Sequence, residues 1–88
     1  MKKVIYKYPL TSFPECTIQM PEEAKILSLQ MQNGVITIWA LVNAEGDLDV
    51  DRTFLMKATG QPFVTDGLEY LTTIQEGHYV WHVFEVIS

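Results

Sequence analysis

An all-β fold with at most one short helix follows from three features of this sequence. Apolar and polar residues alternate with a period of two over long stretches, Asn33-Gly34 joins the two clearest of these runs, and Pro or Gly interrupts the chain before a helical period can develop. The 88 residues suit one small β-rich domain, residues 1–88, and a hydrophobic fraction of 48% with 19% charged residues argues against disorder.

Val4 to Tyr8 reads as a short strand stopped by Pro9. Next, Cys16, Ile18 and Met20 alternate with Glu15, Thr17 and Gln19 as far as Pro21. Pro21-Glu22-Glu23 suits one helical turn, because Pro fits a first helical position and carboxylates favour a helix N-terminus. From Lys25 the alternation resumes, with Leu27, Leu29 and Met31 set against Ser28, Gln30 and Gln32. Asn33-Gly34 tolerates the two positive φ angles of a type I′ turn, so a tight hairpin returns through Val35 to Val42. That register sets Met31 opposite Ile36, Leu29 opposite Ile38 and Leu27 opposite Ala40 on one face. Its other face sets Gln32, Gln30 and Ser28 opposite Val35, Thr37 and Trp39, with Ile26 opposite Leu41. Since the return strand is apolar on both sides, a second layer or a partner subunit must cover it.

Arg52 to Thr59 reads as a further strand ended by Gly60-Gln61-Pro62, and Asp66-Gly67 marks a turn. Leu68 to Gln75 and His78 to Ile87 flank Glu76-Gly77 as a second hairpin. A two-residue turn there predicts Ile74 opposite Tyr79, Thr72 opposite Trp81 and Tyr70 opposite Val83, with His78, Val80, His82 and Phe84 on the other face. The expectation is about six strands, built from hairpins.

The charge balance, 6 basic against 11 acidic residues for a net −5, opposes binding of a nucleic acid polymer. Lys2, Lys3 and Lys7 gather near the N-terminus, while Glu45, Asp47, Asp49 and Asp51 form an acidic loop suited to solvation. No membrane association is expected, because the longest apolar run, Val35 to Val42, is broken by Thr37 and too short to span a bilayer. Tyr6, Lys7, Tyr8 and Pro9 likewise interrupt any signal-peptide core after Met1-Lys2-Lys3. Cys16 is the one cysteine, which fits a reducing, cytosolic setting and leaves stability to self-association.

Catalytic and metal chemistries find little support. Asp47-Leu48-Asp49-Val50-Asp51 opens like a calcium loop, but Arg52 and Ala58 stand where the EF-hand template needs Gly and Glu. On a strand, His78 and His82 are separated by roughly 13 Å, too far to share a metal ion. Cys16 and His82 lack any local device to form and orient a thiolate. The expectation is a non-enzymatic protein without cofactor or metal. Its ten aromatics (4 Phe, 4 Tyr and 2 Trp) exceed what one small core encloses and suit either a subunit interface or a ligand pocket. In the ligand reading, Trp39 or Trp81 stacks on the base of a nucleotide-like molecule, Arg52 and Lys57 contact phosphate, and His82 donates a hydrogen bond.

Several stretches then resemble a family of short, largely uncharacterised bacteriophage and prophage proteins. They are Tyr6-Lys7-Tyr8-Pro9-Leu10, Ala24 to Ser28 with Asn33-Gly34 and Trp39-Ala40-Leu41-Val42, Ala58-Thr59-Gly60-Gln61-Pro62, and Val80-Trp81-His82-Val83-Phe84-Glu85. The resemblance implies a protein of the host cytoplasm. By analogy with small phage β-proteins it suggests a homo-oligomer that sequesters a nucleotide-derived signal to counter host antiviral defence. The alternative it implies is a protein–protein interaction module that inhibits a host defence protein or acts as an assembly factor. It carries over no catalytic residues.

Overall fold

The alternating runs find their partners at long range. The computed structural model describes residues 2–46 and 48–88. Its strands are β1 (Lys3–Pro9), β2 (Glu15–Pro21), β3 (Lys25–Gln32), β4 (Val35–Asn43), β5 (Asp49–Ala58), β6 (Leu68–Glu76) and β7 (Tyr79–Val86). There are seven strands, one for each of the runs read from the sequence and one more than the expected total, with β1 pairing with β4 and β2 with β5. Among the described residues there is no helix. Pro21-Glu22-Glu23 forms a turn instead of a helical one, closed by the Ala24 N–H donating to the Pro21 carbonyl at 3.0 Å. The extended chain resumes at once in β3, which leaves no length for a helix to propagate. The calcium-like stretch begins on Asp47, outside the described residues.

A three-stranded sheet in the order β1-β4-β3 packs on a four-stranded sheet in the order β2-β5-β7-β6. Leu29, Ile36, Ile38, Ala40 and Val42 of the first sheet meet Cys16, Met20, Phe54, Met56, Ile74 and Val83 of the second in one core. The second sheet therefore covers one apolar face of β4, as period-2 alternation requires. On the opposite, outer face of β4, Trp39 and Leu41 are half-buried among their neighbours and Val35 is exposed.

Asn33 and Gly34 have φ of 51° and 80°, the signature of the type I′ turn. Gln32 pairs with Val35, Met31 with Ile36 and Leu29 with Ile38, as expected. A bulge between Ile26 and Ser28 then shifts the ladder, so Ile26 rather than Leu27 opposes Ala40, and Lys25 rather than Ile26 opposes Leu41. The shift packs Ile26 on the core and leaves Leu27 exposed. Gly34→Val forces a β-branched residue into positive φ and should lower stability by about 1–3 kcal/mol. Urea denaturation should show a lower midpoint; an unchanged midpoint would reject the turn assignment.

The second hairpin turns one residue later than expected, on Gly77-His78, with positive φ (57°) at Gly77. A glycine at the first central position supplies a type II′ turn, whereas Glu76-Gly77 would have forced Glu76 into a left-handed conformation. Ile74 therefore pairs with Trp81, Thr72 with Val83 and Tyr70 with Phe84, after a bulge between Tyr70 and Thr72. Past the turn the ladder is displaced by two residues, which keeps side chains on their faces. His82 and Phe84 therefore remain together on the outer face of the second sheet, where Lys57 opposes His82.

Tyr8 opposes Ile38 in the first sheet, and its phenol ionises above the ordinary 10.0. Burial is the main cause, and the charges of Asp49 and Tyr6 add to it. Because the folded value lies above the unfolded one, this contribution is complete below about pH 10 and is lost as pH rises through the folded value. Denaturation at about pH 9 and about pH 11 should show a fall in stability that Tyr8→Phe reduces. An identical fall in the variant would reject the role given to Tyr8.

Candidate functional site

Period-2 alternation puts Arg52 in phase with Phe54 and Met56 on the inner face of β5, and Glu85 in phase with Val83 on the inner face of β7. The two interlock as a fork. Arg52 Nε donates to Glu85 Oε2 at 2.6 Å and Nη2 donates to Oε1 at 2.8 Å, while Nη1 donates to the Ala24 carbonyl at 2.7 Å. The hydrogen bond to Glu85 raises the Arg52 pKa; burial opposes this, and the charges of Glu85 and Glu69 add to it. The pair borders a cleft of about 590 Å³ between β3 and β6, which Leu27 and Leu71, the residues at the two bulges, also line. Bulges re-aim strands beside sites, so the cleft is a built feature. Its lining carries no net charge, however, and within it Arg52 is paired with Glu85. Arg52 is held by the chain's own acceptors.

The outer face of the three-stranded sheet has a different character. Across it, Lys7, Trp39 and Ser28 form one row, and Ile5, Leu41 and Lys25 form the next. Lys7 Nζ donates to Gln32 Oε1 at 3.0 Å, and Gln30 Nε2 donates to Ser28 Oγ at 3.1 Å. Lys3 Nζ donates to Asn43 Oδ1 at 2.6 Å. Among the described residues, neither the Trp39 indole N–H nor the Lys25 ammonium has a hydrogen-bond partner. Strands β1, β3 and β4 contain Lys3, Lys7 and Lys25 and no Asp or Glu. Strands β2, β5, β6 and β7 carry Glu15, Asp49, Asp51, Glu69, Glu76 and Glu85 against Arg52 and Lys57. Charge is thus segregated by sheet, and the net −5 conceals a basic, tryptophan-centred face.

The five residues read as ligand contacts lie on three surfaces. Trp39 stands on the outer face of the first sheet, and Arg52 and Trp81 stand on the inner face of the second. Lys57 and His82 are brought together as register partners on the outer face of the second. Lys57 Nζ sits 5.4 Å from the Phe63 ring centroid. His82 Nε2 and Nδ1 pair with the hydroxyls of Thr59 and Thr73 at 2.8 and 2.9 Å, and Thr73 pairs in turn with Tyr70 at 2.6 Å. Within one chain the five do not form a single pocket. Cys16 is buried on the inner face opposite Phe54, so the sheet itself separates it from His82. Among the described residues no group of three or more His, Cys, Asp and Glu is placed to hold a metal ion, and no helix is long and apolar enough to cross a membrane.

Sequence reasoning missed Glu85, Lys7 and Lys25. A signal for Glu85 was present, since a carboxylate in phase with Trp81 and Val83 calls for an internal partner. Lys7 and Lys25 gave no local signal, because their common surface exists only once β1 and β3 pair with β4. No curated protein and no solved structure matches the chain. A family model does match, over residues 1–88. On that match the chain belongs to the family described as Domain of unknown function (DUF7352).

Proposed function

We propose that this chain is a non-enzymatic binding protein that captures a nucleotide-type ligand, a flat base carrying phosphate, on the outer face of its three-stranded sheet. The observation that supports this is the segregation of charge around Trp39: lysines lie beside the indole and no carboxylate lies in the sheet. Trp39 stacks on the base, and Lys7 and Lys25 neutralise phosphate. This transfers the phosphate-binding role expected of Arg52 to the lysines, since Arg52 is committed to Glu85. One flat face encloses a ligand poorly, so a second copy completes the site, and exposed Ile5, one row from Trp39, with Val35 farther along β4 supplies apolar contact for it. In the phage setting that the sequence resemblance implies, such an oligomer acts as a sponge for a nucleotide-derived defence signal.

The test is a melting-temperature screen against mononucleotides, cyclic nucleotides and ADP-ribose derivatives, with light scattering for the mass. A ligand at about 100 times its Kd adds about 2.7 kcal/mol, a shift of several degrees. No shift across the panel and a mass of 10.1 kDa at micromolar concentration would sink this reading. The second reading, a module that binds a basic host protein, is favoured by Glu15, Asp49 and Asp51 on the outer face of the four-stranded sheet. It predicts capture of such a partner that Asp49→Asn with Asp51→Asn weakens.

A further inference from the structure

A second, smaller cavity of about 310 Å³ opens between the sheets beside the β3–β4 turn. Its size falls at the lower end of small-molecule sites. Core residues Leu10, Ile36 and Met56 line it. Phe13 and Trp81 also line it, and their rings meet edge to face, 4.7 Å between centroids and 75° between planes. The opening is built and anchored, because the loop carrying Phe13 is tied to both sheets. At one end the Leu10 N–H donates to the Ile36 carbonyl at 2.8 Å, and at the other the Met56 N–H donates to the Pro14 carbonyl at 2.9 Å. Tyr79 stacks on Trp81 at 5.8 Å and 11° and braces that wall. Glu76 is the one charged side chain among the lining residues. Among the described residues it makes no ion pair or side-chain hydrogen bond.

We infer that this cavity binds a small organic cation, a primary or quaternary ammonium on an apolar body. Aromatic faces carry negative quadrupole charge and attract an ammonium, and the Glu76 carboxylate adds the one full charge. An anion would meet repulsion from both, while a neutral apolar molecule would use the floor and gain nothing from the carboxylate at the rim. The site is separate from the Trp39 face: Trp81 belongs to the inner face of the other sheet, and the ligand charge it favours is of opposite sign.

The probes are phenethylammonium, 2-phenylethanol and 3-phenylpropionate, which share a ring and differ in charge. NMR titration of the intact chain follows the methyl groups of Met31 and Met56, both at the cavity. The expected order is cation, then alcohol, then carboxylate, with the cation about tenfold tighter than the alcohol. Glu76→Gln, at an exposed position, should fold normally and cut the cation's advantage over the alcohol to the part the rings supply, while leaving the alcohol unchanged. Phe13→Ala should weaken the cation and the alcohol together. Equal affinity of cation and alcohol in the wild type, or no methyl shift with any probe, would overturn the inference.

Discussion

Glu85→Ala should remove about 1.5–3 kcal/mol of folding stability, a substantial share of what an 88-residue domain holds. The residue is 8% exposed, and its two oxygens accept from two N–H groups along one edge of the Arg52 guanidinium. Truncation leaves that part-buried positive charge at the edge of the cleft with the Ala24 carbonyl as its remaining acceptor. An uncompensated charge in such surroundings costs more than the pair contributes while intact. Arg52→Ala strands the carboxylate in the same way. The companion variant separates this account from simple loss of packing. Arg52→Met combined with Glu85→Leu removes both charges at similar volume and should recover to within about 1 kcal/mol of wild type. Chemical denaturation followed by circular dichroism measures all four proteins. Single variants as stable as wild type, or a double variant as unstable as the sum of the singles, would refute the part-buried fork.

The local parts of this fold were legible because they depend on neighbours in sequence. Asn33-Gly34 fixes its turn through backbone conformations that few other pairs tolerate, and the alternation of Leu29, Met31, Ile36 and Ile38 fixes which face is buried. The bulges at Leu27 and Leu71 were not legible, since an extra residue is accepted where packing across the sheets rewards it. The second turn was misplaced by one residue because glycine was assigned the second central position and takes the first. The sites were harder still. Arg52 and Glu85 each stood in the apolar phase of a strand, but their union depends on β5 pairing with β7, 33 residues away. The same holds for the basic face. Lys7 comes beside Trp39 through pairing of β1 with β4, which no local period encodes.

Trp39→Ala combined with Lys7→Gln should weaken nucleotide binding by more than about 100-fold, the largest functional loss that the proposed site predicts. A stacked base contributes about 1–3 kcal/mol and a charge-assisted phosphate contact about 1.5–3 kcal/mol, so loss of both approaches 3–5 kcal/mol. The two side chains are register partners, so their effects should couple and each single variant should show more than half of the loss. Folding should survive, because Lys7 is exposed and Trp39 is only half-buried on the outer face, away from the core. Raising salt should weaken wild-type binding and affect Lys7→Gln less, since one screened contact is already gone. Trp81→Phe supplies the control: its side chain lies on the inner face of the other sheet, and nucleotide affinity should stay at the wild-type value. Calorimetry with whichever nucleotide gives the largest thermal shift reads every one of these outcomes. If Trp39→Ala with Lys7→Gln binds as wild type does while Trp81→Phe does not, the ligand sits between the sheets, and the basic face has another use.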